Sequence, residues 1–111
     1  MVYEIVISEL AEKQLDECLR YLIAVKQNIQ AARRLVDDFE DTKKELSIVA
    51  SSLRYCDDPY LKSEGYRKML FKKHRYLFIY RIIDERIEVN AMYHELQDYE
   101  NMFSSDKGKP H

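Results

Sequence analysis

The sequence predicts an α+β fold in which a helical hairpin packs on one face of a small, mostly antiparallel, twisted sheet. Three observations support this fold class. An apolar segment at the N-terminus precedes two long amphipathic stretches, and three short segments of strand character follow them. Only two Gly and two Pro occur in 111 residues, which favours long elements joined by few turns. The predicted order of elements is therefore β-α-α-β-β-β.

The first two elements are a strand and a helix. Residues 2–7 are mostly β-branched or aromatic and predict a strand. Ser8 is a suitable N-cap for a helix, and Glu9 and Glu12 lie where the helix dipole favours acids. The apolar residues that mark one face of this helix are Ala11, Leu15, Cys18, Leu22 and Val25.

A second helix follows the polar residues 26–28 and pairs with the first as an antiparallel hairpin. Its apolar side is formed by Ala32, Leu35, Val36, Phe39, Leu46, Val49, Ala50 and Leu53. Pro59 disfavours helical geometry at Asp58, so the helix should end before this point, and Gly65 should end the loop that follows.

Three strands are predicted at residues 66–71, 75–83 and 87–93. The middle strand alternates, and we expect one of its faces to pack on the helices: Tyr76, Phe78, Tyr80 and Ile82. We expect the other face to be open: Arg75, Leu77, Ile79 and Arg81. Residues 1–103 should form a single domain, and the polar residues 104–111 a flexible tail.

The net charge of −2 conceals an uneven distribution. Residues 66–83 carry six bases and no acid, whereas the rest of the chain carries 12 bases and 20 acids. Such a division suggests that one surface meets an anionic or acidic partner. A solvated strand face that protects a sheet edge would explain it equally well.

The sequence argues against a disulfide, a metal site and a membrane-spanning segment. Cys18 lies on the apolar face of the first helix, and Cys56 has no Cys or His nearby at metal-ligand spacing. We therefore predict no metal site and no cofactor. The sequence has no signal peptide and no apolar run near 18 residues, which predicts a cytoplasmic protein without a membrane partner.

Several short motifs occur in a characteristic order and spacing. They are Ser8-x-x-Ala11, Asp58-Pro59-x-Leu61, Gly65-Tyr66-Arg67, the strand from His74 to Ile82, Ile87-Glu88-Val89, and Met92-Tyr93-His94-Glu95 followed by Asp98. Together they resemble the RelE/ParE superfamily over residues 2–103. The resemblance implies the toxin of a type II toxin–antitoxin system, which arrests growth and is neutralised by a cognate antitoxin.

The superfamily has two branches that differ in target. RelE-like members are ribosome-dependent endoribonucleases that cut messenger RNA, and ParE-like members act on DNA gyrase without known nuclease activity. A metal-free ribonuclease needs cations on the phosphate and groups that transfer protons. If the chain is RelE-like, the candidate catalytic residues are His94, Arg75 and Arg81, with Arg67 and Tyr93 as possible assistants.

Two departures from the RelE pattern favour the ParE branch. Leu77 occupies the position where RelE-like nucleases carry an Arg three residues before the strand Tyr, here Tyr80. Met69 replaces the second of two Lys of that family, and Arg67 retains the first charge. The acidic pI of about 5.9 also fits poorly with a protein that must bind ribosomal RNA. ParE-like gyrase inhibition is preferred, a RelE-like ribonuclease is the alternative, and a non-catalytic nucleic-acid-binding module is a further alternative.

The predicted target-binding residues follow the basic segment and its neighbouring strand. They are Arg67, Lys68, Lys72, Lys73, Arg75, Arg81 and Tyr93. The predicted partners are the antitoxin and either gyrase or the ribosome with its messenger RNA. The antitoxin is expected to bring a disordered acidic segment that folds on binding near Arg67, Arg75 and Arg81. A histidine at a strand end is often only a hydrogen-bonding group, and this structural role is the preferred interpretation of His94.

Overall fold

A computed structural model describes residues 3–106 of the chain, and within them four strands form one mixed sheet in the order β1-β4-β3-β2. The strands are β1 (Glu4–Ile7), β2 (Arg67–Leu70), β3 (Tyr76–Ile83) and β4 (Arg86–His94). The helices are α1 (Glu9–Arg20), α2 (Ile29–Val49), α3 (Pro59–Ser63) and α4 (Tyr99–Asp106). β1 runs parallel to β4, whereas the other neighbouring strands are antiparallel. The predicted fold class is confirmed.

The helical hairpin forms where the sequence places it. The hydroxyl of Ser8 caps α1 by accepting a hydrogen bond from the backbone N–H of Ala11 at 3.1 Å. A π-helical turn at Tyr21–Val25 continues α1, and Gln27 reverses the chain with a φ of +52°. The Asn28 side chain then caps α2 through the N–H of Ala31 at 3.0 Å. Both caps satisfy backbone donors that the first turn of a helix leaves without partners.

One core lies between this hairpin and the sheet. Phe78 and Tyr80 of β3 are fully buried in it, and Tyr76 and Ile82 pack at its margin. The Phe39 ring of α2 meets Phe78 edge to face at a centroid distance of 5.2 Å. These contacts confirm which face of β3 packs on the hairpin. We call this side of the sheet the hairpin side.

The opposite face of the sheet is covered, so the prediction that it is open was wrong. Leu77 and Ile79 are fully buried on this face, which we call the far side. The second core there contains Cys56, Leu61, Tyr66, Leu77, Ile79, Ala91, Tyr93 and Phe103. It is built from α3 and α4, two short helices that the sequence patterns did not predict.

Local capping explains α3. Asp58 accepts a hydrogen bond from the N–H of Leu61 at 3.0 Å, and Pro59 occupies the first helical turn. Proline is favoured there because its missing N–H would have no partner in any case. Pro59 therefore favours the start of α3, in addition to disfavouring helical geometry at Asp58. Leu61 of that helix is fully buried against the far side.

The ordered domain extends beyond its predicted boundary at residue 103. α4 continues to Asp106, and Ser104 is only 1% exposed. The first three residues of the predicted flexible tail are thus helical, because Phe103 anchors α4 in the second core. Residues 107–111 of the predicted tail lie outside the described residues. Within residues 3–106, no helix is both long and apolar enough to cross a membrane.

Candidate target-binding surface

The six cations of residues 66–83 do not share one surface. Arg67 pairs with Tyr80 in the β2–β3 register, which places its side chain on the hairpin side. Lys68 pairs with Ile79, and both Lys68 and Arg81 lie on the far side. Arg75 precedes β3, so six residues of extended chain, about 20 Å, separate it from Arg81.

Arg67 is held by its neighbours at the edge of the sheet. One guanidinium nitrogen donates to the carbonyl of Leu53, and the other donates to the Tyr55 hydroxyl at 2.9 Å. The guanidinium also lies 4.1 Å from the centroid of the Tyr55 ring. Arg67 therefore ties the segment after α2 to β2.

Lys68 is largely enclosed, with a side chain only 9% exposed. Its ammonium group donates to Glu100 at 2.9 Å, to the Tyr99 hydroxyl at 3.1 Å and to Asp57 at 3.3 Å. Burial alone would lower the pKa of Lys68, but the hydrogen bonds to Glu100 and Tyr99 outweigh burial and raise it. Lys68 thus fastens α4 to the sheet.

Arg81 is also drawn into the second core. Its guanidinium lies 4.8 Å from the centroid of the buried Tyr66 ring, and its Nε is 3.8 Å from a carboxylate oxygen of Glu88. The side chain is 28% exposed. Only part of its charge is presented to solvent.

The turn between β2 and β3 is organised by Asp38 of α2, which is 1% exposed. One carboxylate oxygen accepts from the backbone N–H of Lys73 at 3.0 Å and of His74 at 2.8 Å. The same oxygen lies 2.7 Å from Nδ1 of His74. Burial raises the pKa of Asp38, but the hydrogen bonds from His74 and the two backbone N–H groups lower it by more. Asp38 therefore holds the turn in place as an anion.

This arrangement leaves residues 72–75, here called the cationic turn, as the exposed part of the basic segment. The side chains of Lys72 and Arg75 are 50% and 64% exposed. Each makes one ion pair at the surface: Lys72 with Glu45 at 3.2 Å, and Arg75 with Glu95 at 2.9 Å. Lys73 is exposed, and its ammonium group makes no ion pair within residues 3–106. Surface pairs contribute at most about 1 kcal/mol, so both cations can exchange them for a partner's acids.

His94 and Tyr93 are placed differently from a proton-transfer pair. Nδ1 of His94 accepts a hydrogen bond from the N–H of Leu96 at 3.1 Å, and its ring meets Tyr76 edge to face at 5.1 Å. Nδ1 of His94 thus serves as a local acceptor for the backbone of the turn that follows β4. Tyr93 is 4% exposed and hydrogen-bonds Gln14, which leaves little of its ring for a partner.

The predicted ribonuclease residues are brought together only in part, because Arg75 lies close to His94 and Arg81 does not. His94 pairs with Tyr76 at one end of β3, close to Arg75 in the chain, and Arg81 lies near the other end. Leu77, at the position of the RelE arginine, is fully buried in the second core. Among residues 3–106, no three His, Cys, Asp or Glu side chains are grouped so that they could hold a metal ion.

The acids that hold the basic segment were not among the residues predicted from the sequence. Asp38 binds Lys73 and His74, whereas Glu95 binds Arg75 and Glu100 binds Lys68. Asp38 had a detectable signal, because it lies three residues after Leu35 on the buried face of α2. An acid on an apolar helix face indicates a buried polar contact. Glu95 and Glu100 gave no comparable signal.

A family model described as the ParE toxin of the type II toxin–antitoxin system parDE matches residues 5–99. This range contains the hairpin, β2, β3, β4, all of β1 except Glu4, and the cationic turn. The chain belongs to the ParE toxin family. It is therefore the toxin component of a type II toxin–antitoxin system, and an antitoxin is its partner.

Among solved structures, the ParE chain is similar to one from the chromosomal ParDE toxin–antitoxin system of P. aeruginosa. The TM-score is 0.70 at 18% identity, and the match covers 84% of this chain and 96% of the other. At this level of identity the similarity concerns the fold alone. No curated protein matches the chain in sequence.

Proposed function

We propose that this ParE toxin arrests growth by acting on DNA gyrase in the cytoplasm, without catalysis of its own, and that its antitoxin neutralises it. The observation that carries the proposal is the match to the ParE family over residues 5–99. The separation of Arg81 from His94 and Arg75, at opposite ends of β3, supports it. Arg81 contacts Tyr66, Nδ1 of His94 is occupied, and Leu77 is buried.

The cationic turn is the surface that we assign to the target. Lys72, Lys73 and Arg75 are exposed, whereas Arg67, Lys68 and Arg81 are engaged in contacts within the fold. Exposed cations at one turn can meet acidic protein surface or DNA phosphates of a gyrase–DNA complex. A disordered acidic segment of the antitoxin would compete for the same charges.

The test in cells is induced expression of the toxin with two parallel readouts. Gyrase-dependent DNA breaks and messenger RNA cleavage are followed within minutes of induction. We expect growth arrest with DNA breaks, intact messenger RNA, and an unchanged effect for His94→Ala. Co-expression of the neighbouring reading frame, which should encode the antitoxin, should restore growth.

The other candidate functions give different results in this experiment. Rapid, codon-specific cleavage that His94→Ala reduces roughly 100-fold would identify a RelE-like ribonuclease instead. Normal growth on expression would favour a non-catalytic nucleic-acid-binding module. Failure of every adjacent small protein to rescue growth would contradict the proposed neutralisation.

A further inference from the structure

A cavity of about 410 Å³ lies between α1, the adjoining ends of β3 and β4, and α4. Three tyrosines line it, namely Tyr21, Tyr76 and Tyr93. Met102 of α4 is 43% exposed and Tyr21 is 50% exposed, so the cavity is accessible from solvent. A volume in this range suits one large side chain or a small ligand.

The lining is anionic. Glu17 is the one charged residue at neutral pH among the described lining residues, and none of them is Lys or Arg. Burial raises the pKa of the Cys18 thiol and raises that of Tyr76 to about 12, so both groups stay uncharged. The walls therefore combine aromatic rings, neutral hydrogen-bonding groups and a single carboxylate.

A smaller groove on the outer side of α1 adjoins the cavity through Glu17. Its lining has four acids and two bases: Glu9, Glu12, Lys13, Asp16, Glu17 and Arg20. The negative charge of the cavity is thus continued along the helix. A partner segment that crosses α1 into the cavity would be favoured by positive charge.

We infer that this cavity binds a lysine or arginine side chain presented by a protein partner. The aliphatic stem would pack on Leu22, Met92 and Met102, and the cation would lie near the ring of Tyr76 with Glu17 as its counter-ion. The Tyr21 ring already has the ammonium group of Lys26 at 5.7 Å from its centroid. An aromatic ring and a carboxylate attract a cation, whereas an acidic side chain would be repelled by Glu17. This charge preference is opposite to that of the cationic turn, and it holds whichever target the toxin attacks.

The test uses butylguanidinium as the probe and butylurea, which has the same shape without the charge, as its matched control. Binding to the purified full-length toxin is followed by NMR of the Met92 and Met102 methyl groups. We expect saturable shifts with butylguanidinium at a dissociation constant in the millimolar range, as befits about eight heavy atoms. Butylurea should bind at least about fivefold more weakly. Glu17→Gln should reduce butylguanidinium binding by a similar factor, whereas the exposed Glu64→Gln should not.

A capped Gly-Arg-Gly peptide distinguishes a protein side chain from a free small cation. We expect it to shift the same methyl groups with at least the affinity of butylguanidinium. Equal binding of butylurea, or insensitivity to Glu17→Gln, would show a merely apolar cavity and overturn the charge preference. If butylguanidinium causes no shifts at 50 mM, roughly tenfold above the expected dissociation constant, the site itself is overturned. Failure of the peptide to bind would also overturn it.

Discussion

At the scale of single residues, buried acids determine which cations remain available to a partner. Asp38 fixes the backbone of the cationic turn, and Glu100 withdraws Lys68 into the fold. The basic segment is evident in the sequence. The sequence does not show, however, that its six cations differ in how far they are exposed to solvent. They differ because each side chain meets an acid, a ring or a carbonyl from a distant part of the chain, and such contacts have no local pattern.

The role of Asp38 can be tested by substitution. Asp38→Ala removes the acceptor of two backbone N–H groups and of the His74 ring, so these donors lose their partner in a largely buried site. We expect a loss of about 1–3 kcal/mol in the free energy of unfolding, measured with urea. Asp37→Ala, at an exposed neighbouring position, should change it by less than about 0.5 kcal/mol. Equal stability of the two variants would show that Asp38 does not hold the turn.

The same acid predicts a dependence of stability on pH. Its pKa is lower in the folded chain than in the unfolded chain, so its contribution is complete above the unfolded value of about 3.9. The contribution is lost as the pH falls from there through the folded value. The stability difference between the natural chain and Asp38→Ala should therefore shrink on acidification below about pH 4. A difference that stays constant from pH 6 to pH 2.5 would rule out ionised Asp38 as the cause.

At the scale of secondary-structure elements, the long periodic segments were predictable and the short ones were not. The hairpin, all four strands and the packed face of β3 follow from period and capping residues such as Ser8. α3 has five residues and α4 has eight, too few for a helical period to stand out. Both are helical because Leu61 and Phe103 are buried on the far side, and that burial depends on the assembled sheet.

The second core gives α4 a measurable contribution to stability. Phe103 is 1% exposed and its ring meets Tyr66 edge to face at a centroid distance of 5.0 Å. Phe103→Ala should therefore lower the free energy of unfolding by about 3–5 kcal/mol. Met102→Ala, on the same helix but 43% exposed, should cost much less and serves as the control. Similar small effects of both substitutions in urea denaturation would mean that α4 does not pack on the sheet.

At the scale of the whole molecule, a nearly neutral total charge separates into two surfaces of opposite sign. The cationic turn projects from the β2–β3 connection, and the acids of α1 border the tyrosine-lined cavity. With both faces of the sheet packed, the expected open concave site does not exist. We therefore expect the toxin to act through exposed convex features and through grooves between elements.

The most direct test of this account is inhibition of purified DNA gyrase by the purified toxin, measured as supercoiling activity and as stabilised DNA breaks. The decisive comparison is between two triple variants that remove three exposed cations each. The turn variant combines three substitutions in the cationic turn: Lys72→Ala, Lys73→Ala and Arg75→Ala. The helix variant combines three substitutions on the two long helices: Lys13→Ala, Arg33→Ala and Arg34→Ala. We predict that the natural chain and the helix variant inhibit gyrase alike, and that the turn variant is weaker by roughly 10-fold or more. Gyrase left unaffected by the natural chain, or inhibited equally by both variants, would contradict the account.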